Sequence, residues 1–258
     1  MDINIIKEVR EKQPLVHHIT NEVVMNFSAN GLLAFGGSPI MAHAEEEVED
    51  VSRLADGVLL NIGTLTEKQV NAMITAGQAA NEAGVPVVVD PVGAPATKFR
   101  SKSIQTILER VKPSLIKGNA GELAHLIGEE VETKGVESTG TGNEKSIAER
   151  VAQTYETTAV VTGKMDVVSD GTETRTNSTG HPLLAKVTGT GCLLGSILAA
   201  CMSATGSSVT KIHTALEFFG AAAEYAASQE EVQGSGTFTP RFLDALAMDP
   251  DQWRGDEQ

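Results

Sequence analysis

The feature that most limits how this chain can fold is an alternation. Short apolar runs rich in branched residues recur along it, separated by longer segments of helical periodicity. Runs that are apolar throughout suit strands buried on both faces, and parallel strands need a crossover, usually a helix, between them. The runs at 15–20, 57–61, 86–89, 114–117 and 158–162 predict five such strands. Between the second and third, Val70, Met73, Ile74 and Gly77 fall on one helical face that should end near Gly84, ahead of Pro86. After Thr162 the pattern changes to a hairpin, 166–169 and 173–176, turning at Asp170-Gly171. Helices are expected at 193–204, 209–228 and 240–247, whereas 17–21 and 36–41 read as loop-like polar and glycine segments. The Gly-, Ser- and Thr-rich stretch 133–143 reads as a mobile connection, and the polar end 249–258 as frayed. The fold class is α/β, a central, mainly parallel sheet flanked by helices. The 258 residues, 41% of them hydrophobic, fit one domain spanning 1–258.

Charge narrows the partners. With 34 acidic against 20 basic residues the formal charge is -14, which disfavours nucleic acid and anionic membrane surfaces. The same field repels a polyphosphate, so a nucleotide site here must rest on backbone amides, a few cations and a metal ion. No basic segment leads into an apolar signal core and no apolar run is long enough to span a bilayer, so the expected location is the cytoplasm. Cys192 and Cys201 lie nine positions apart in one expected helix, too far to bridge, and read as free thiols.

Chemistry concentrates where strands give way to helices. Gly189-Thr190-Gly191-Cys192 runs straight into an apolar helix, so its glycines allow close approach and the free amides of the first turn form an anion hole. At the positive end of that helix the thiol of Cys192 should have a lowered pKa and could act as a base; the bland reading is a small buried hydrophobe. Lys117-Gly118-Asn119-Ala120-Gly121-Glu122 offers a cation for phosphate, Asn119 as an N-cap, and Glu122 either for a metal and its waters or merely as a first-turn acid. Asp90-Pro91-Val92-Gly93 follows another strand in the same way, with a self-capped turn as the plain alternative. Thr162-Gly163 ends a further strand and could offer hydroxyl and backbone to a nucleotide. Adjacent His17 and His18 face opposite sides of a strand, which argues against a metal pair. Met41 is a gap-filling residue by default, though a thioether also suits a sulfur heterocycle.

Taken in order, 14–21, 38–41, 61–65, Asp90-Pro91-Val92-Gly93, Lys117-Gly118-Asn119 with Glu122, 161–163 and Gly180-His181-Pro182 leading to Gly189-Thr190-Gly191-Cys192 resemble the hydroxyethylthiazole kinase family over nearly the whole chain. The resemblance implies a ribokinase-like fold and phosphorylation of 4-methyl-5-(2-hydroxyethyl)thiazole by ATP with Mg²⁺ in thiamin biosynthesis or salvage. It also implies a homotrimer with thiazole pockets at subunit interfaces. It puts Cys192 at the catalytic position with Gly189, Thr190 and Gly191 around the transferring group. Met41, Gly189 and Asn21 fall at the thiazole alcohol, Lys117, Thr162 and Asn119 at ATP, and Glu122 and Asp90 at the metal. Two departures stand out: Pro95 where relatives commonly have Gly, and Gly234-Ser235-Gly236-Thr237-Phe238 where Gly-Pro-Gly-Ser-Phe is usual. The rival readings are a ribokinase-like NAD(P)H-hydrate dehydratase and a non-catalytic nucleotide- or thiazole-binding protein.

Overall fold

The computed structural model describes residues 1–129 and 143–254, so all of the connection expected at 133–143 except Asn143, and the last four residues, lie outside it. Among the described residues eight strands form one sheet in the order β2-β1-β3-β4-β5-β6-β7-β8. The strands are β1 (Leu15–Ile19), β2 (Ser38–Met41), β3 (Gly57–Asn61), β4 (Val87–Asp90), β5 (Leu115–Asn119), β6 (Thr158–Thr162), β7 (Asp166–Ser169) and β8 (Thr174–Asn177). β2 through β6 in that order are parallel, and among the described strands β7 alone is reversed, pairing antiparallel with both β6 and β8. The helices are α1 (Ile3–Lys12), α2 (Met25–Phe35), α3 (Val48–Leu54), α4 (Glu67–Ala83), α5 (Lys98–Arg110), α6 (Ala120–Leu126), α7 (Glu144–Tyr155), α8 (Thr190–Met202), α9 (Ser208–Ser228) and α10 (Ser235–Ala247). They cover both faces of the sheet, so the core is two separate layers. One packs α1, α2, α8, α9 and α10 against residues such as Val16, Leu59 and Val88. The other packs α4, α5, α6 and α7 against Ile19, Leu60 and Val89. Alternate residues of each strand feed opposite layers, which is why the strands are apolar throughout.

Local chemistry accounts for the element ends. Thr66 and Gln69 form a capping box at the start of α4, and Gly84 closes the helix in the left-handed region at φ 75°, as expected. The segment 38–41, read as a loop from its glycines and proline, is instead a strand paired in parallel with β1. It is an edge strand, the place in a sheet where Pro39 with its missing N–H is tolerated. The helix expected from Pro240 begins five residues earlier, at Ser235, with Pro240 inside it. Buried Phe238 in that first stretch stacks on Phe242 with centroids 5.5 Å apart, a packing gain that offsets one forgone backbone bond. β4 and β5 also run past their expected ends, so Asp90 and Asn119 are the last residues of strands, and Asn119 is at the same time the N-cap expected of it. Cys192 and Cys201 share α8 and are both free, as expected.

Candidate active site

Six residues from distant parts of the chain close a ring at the carboxyl edge of the sheet. The Asn21 amide, just beyond β1, donates to Asn61 Oδ1 at 2.9 Å and lies 3.4 Å from Cys192 Sγ. Asn61 Nδ2, at the end of β3, donates to Asp90 Oδ2 at 2.8 Å. Lys117 Nζ, from β5, lies 3.3 Å from the same Oδ2 and donates to the Gly191 carbonyl at 3.0 Å. Gly191 is bonded to Cys192, and the ring is complete. Lys117 reaches the ring from the middle of β5, and the others stand at a strand end, just beyond one, or at the start of α8, because parallel strands bring their carboxyl ends to one edge.

The start of α8 is held open by stereochemistry. Gly189 caps the helix at φ 96°, a region closed to most side chains, and a Cβ there would lie 2.6 Å from Val24 Cγ1. The Thr190 hydroxyl turns away and donates to the Leu184 carbonyl at 2.8 Å, so Thr190 can offer the site only its backbone. That narrows its expected catalytic part to the amide.

Electrostatics here runs partly against expectation. The Cys192 thiol was expected to be acidified by the helix start; it is shifted upward instead, first by burial and then by the Asp90 charge, which together outweigh Lys117, Asn61 and Asn21. Burial likewise pushes the Asp90 carboxyl up to about 6, against the pull of Lys117. Burial would lower Lys117, yet Asp90, Cys192 and Glu122 hold it above its ordinary value. The ammonium is only 5% exposed, so its partners within the chain are Asp90 and the glycine loop. Asp90 Oδ1 is buried and has no hydrogen-bond partner among the described residues.

The remaining expected residues line the same edge without joining the ring. Asn119 caps α6 and forms a capping box with Glu122, whose Oε2 accepts the Asn119 amide at 2.9 Å while Oε1 accepts that of Gly93 at 2.8 Å. Glu122 therefore caps its helix, and its carboxylate also stands beside the Asp90 loop. Thr162 ends β6 in register with Asn119, and Met41 ends β2 in register with His18. Five strand spacings separate β2 from β6, roughly 24 Å, with the ring between them. Among the described residues no cluster of three His, Cys, Asp or Glu side chains forms a ready-made metal site. A hard cation nonetheless fits this edge, because the orphaned Asp90 oxygen and the nearby Glu122 carboxylate are oxygen donors.

Sequence reasoning did not single out three residues that matter here. Asn61 is the central link of the ring; its signal was a lone amide ending an apolar run. Arg100 donates to the carbonyls of Ile62, Val92 and Gly63 at 2.8, 2.8 and 2.6 Å, tying the loops after β3 and β4 together, and nothing in its exposed-looking helix pointed to that. Asp166 accepts the Gly163 amide at 3.1 Å and the Asn177 side chain at 3.1 Å, fixing the turn beside Thr162.

Comparison with known proteins bears on the family and the fold. The model of the hydroxyethylthiazole kinase family matches residues 6–250. Hydroxyethylthiazole kinase 1 of Oceanobacillus iheyensis is 52% identical over 252 residues, which is 98% of each chain. The solved hydroxyethylthiazole kinase protein of Pyrococcus horikoshii is 44% identical, with a TM-score of 0.89, covering 98% of this chain and 95% of that one. The ADP/ATP-dependent NAD(P)H-hydrate dehydratase of Bacillus subtilis is 15% identical, with a TM-score of 0.64 over 96% of this chain and 97% of that one, and shares the fold alone. A family match over nearly the full length, joined to a glycine-led helix and a cysteine where the strand ends converge, means that this chain belongs to the hydroxyethylthiazole kinase family.

Proposed function

We propose that this chain transfers the γ-phosphoryl group of ATP to the primary hydroxyl of 4-methyl-5-(2-hydroxyethyl)thiazole, as one catalytic domain in the cytoplasm. The observation that carries the reading is the ring linking Cys192 to Asn21, Asn61, Asp90, Lys117 and Gly191 beneath the amide-rich start of α8. The alcohol oxygen bonds to the γ-phosphorus, the bond to the β,γ-bridging oxygen breaks, ADP leaves, and Cys192 Sγ receives the hydroxyl proton. Amides of Gly189, Thr190, Gly191 and Cys192 face the transferring group, so catalysis is chiefly positioning and charge stabilisation. A thiol shifted upward holds its own proton at rest and cannot take a second one, so the species that accepts the hydroxyl proton is the minor thiolate form, favoured by Lys117, Asn61 and Asn21.

Met41, Asn21 and Gly189 hold the thiazole alcohol on the β2 side, and Lys117, Asn119 and Thr162 hold ATP on the β6 side. Asp90 and Glu122 would hold Mg²⁺ with their carboxylate oxygens. Bound there, the ion supplies charge neutralisation on the phosphates. Asn21 reaches Cys192 within the same chain. A homotrimer remains part of the reading through the family resemblance, and the exposed Val23 and Leu33 beside the β2 edge suit subunit contact.

Incubation with ATP, Mg²⁺ and a panel of thiazole, pyrimidine and sugar alcohols, with products identified by mass spectrometry, tests the reading. The phosphorylated thiazole alcohol is the expected product. Repair of hydrated NADH without it would instead identify a lyase, and ATP binding without any turnover a binding protein.

A further inference from the structure

The adjacent histidines of β1 belong to no step of the proposed reaction, yet both are buried and both bonded at each ring nitrogen. His17 Nε2 lies 2.7 Å from the Ala42 carbonyl and Nδ1 2.8 Å from Ser52 Oγ. A carbonyl can only accept, so Nε2 carries the proton, and Nδ1 of the neutral ring accepts from the Ser52 hydroxyl. His18 shows the opposite tautomer by the same logic. Its Nδ1 donates to the Val16 carbonyl at 2.9 Å, leaving Nε2 to accept from Ser196 Oγ at 3.0 Å. Burial lowers both imidazoles, His18 to about 4, so both rings stay neutral near pH 7.

The two rings point to opposite faces of one strand and hold opposite walls of the proposed site. His17 grips the backbone one residue beyond Met41, where β2, an edge strand, has β1 as its one neighbour in the sheet. His18 grips α8 one turn after Cys192. Met41 and His18 are register partners, so the pair measures off the gap between the Met41 wall and the Cys192 wall.

We infer that His17 and His18 are a two-sided pair of positioning residues, His17 setting the thiazole-binding edge through Ala42 and His18 setting the Cys192 helix start through Ser196. This rests on the proposed placement of the thiazole at Met41 and Cys192. Each histidine should then control a different kinetic quantity, which a shared packing role would not produce.

The test combines steady-state kinetics with hydrogen exchange. Asn at position 17 cannot reach Ala42, so His17→Asn should raise KM for the thiazole alcohol about tenfold, the worth of one lost hydrogen bond, with kcat and KM for ATP within about twofold. Gln can present a donor near the lost Nε2, so His17→Gln should recover most of that loss. His18→Asn and the milder Ser196→Ala should instead lower kcat about tenfold through misplacement of Cys192, with KM for the thiazole alcohol little changed. In hydrogen exchange, which needs no substrate, His17→Asn should speed exchange at residues 42–44 and leave 190–193 unchanged, and His18→Asn should do the reverse. Parallel changes in all kinetic constants, or faster exchange at both walls in either variant, overturn the pairing. If the wild-type chain fails to phosphorylate the thiazole alcohol, the proposed function falls, while the exchange pattern still decides the two-sided clamp. If His17→Asn does not fold, His17→Gln and Ser196→Ala decide the matter through the same two readouts.

Discussion

The two edges of the sheet treat polar groups in opposite ways. At the amino edge, Asp56 accepts the Leu15 amide at 2.8 Å, and Asn81 bonds both backbone groups of Lys112 at 2.8 Å. There Ser114 Oγ accepts the Val87 amide at 3.2 Å and the Thr157 hydroxyl donates to the Pro113 carbonyl at 2.8 Å. A groove of about 550 Å³ opens beside these residues, yet its polar lining is largely bonded within the chain and carries no reactive group. At the carboxyl edge, Asp90 Oδ1 and Thr20 Oγ1 are buried without a partner among the described residues, and a lysine is sealed in beside them. That groove therefore lacks the reactive groups gathered at the carboxyl edge. Unspent hydrogen-bonding capacity marks the edge built to receive a ligand, and it is kept at a cost in stability.

Substitution at Cys192 should break that contrast most sharply. Cys192→Ala should fold normally and lower turnover about 100-fold or more, the usual loss of a proton acceptor. Cys192→Asp should remain active, since a carboxylate at a helix start beside Lys117 is favoured. An active Ala variant beside an unstable, inactive Asp variant, read by turnover and thermal unfolding, would return Cys192 to simple packing.

Lys117→Ala comes next. It leaves Asp90 buried without its cation, a change of order 3 kcal/mol in urea unfolding, moderated if Asp90 takes up a proton. KM for ATP should rise more than KM for the thiazole alcohol. If only stability changes, Lys117 is the counter-ion of Asp90 and not a phosphate contact.

The third effect separates the edges by pH. The folded Asp90 carboxyl titrates near 6, above its ordinary 3.8, so the folded chain holds a proton that the unfolded chain has released. Stability from this group is thus lost as pH rises from about 4 through about 6, by on the order of 1–3 kcal/mol. Asp90→Asn should remove that decline when unfolding is followed across this window; a decline equal to that of the native chain would show another group to be responsible.

The smallest effect has the opposite sign and sits at the amino edge. Glu8 is lowered to about 2, first by its hydrogen bond to Lys12 and then by Thr205. Its contribution is present above about 4.5 and lost as pH falls through about 2. Glu8 lies at the surface, so solvent keeps that contribution below about 1 kcal/mol. Glu8→Gln should cost that much at pH 7, less near pH 2, and leave turnover unchanged.

Much of this arrangement could be read from residues in order. The strands 57–61 and 158–162 and the helix closing at Gly84 follow from local patterns, because side-chain burial and glycine geometry act within a few residues. Cys192, Asp90, Lys117 and Asn21 were recognisable as polar or reactive residues where apolar runs stop. The weight of Asn61 and Arg100 was not, since it lies in partners 8 to 40 positions away. The strand 38–41 was missed because pairing at an edge, and not local propensity, makes it a strand.

The sequence by itself determined the α/β class, the glycine-led start of α8 and the family, since periodicity, φ requirements and ordered motifs are all properties of neighbouring residues. Only the tertiary structure decided the charge state of the site. A helix start alone should acidify Cys192, but burial and the Asp90 carboxylate beside it push the thiol the other way. Lys117, which from sequence looked free to meet phosphate, is already held by Asp90 and Gly191. Desolvation and Coulomb forces depend on distances across the fold, and a linear pattern does not contain those distances.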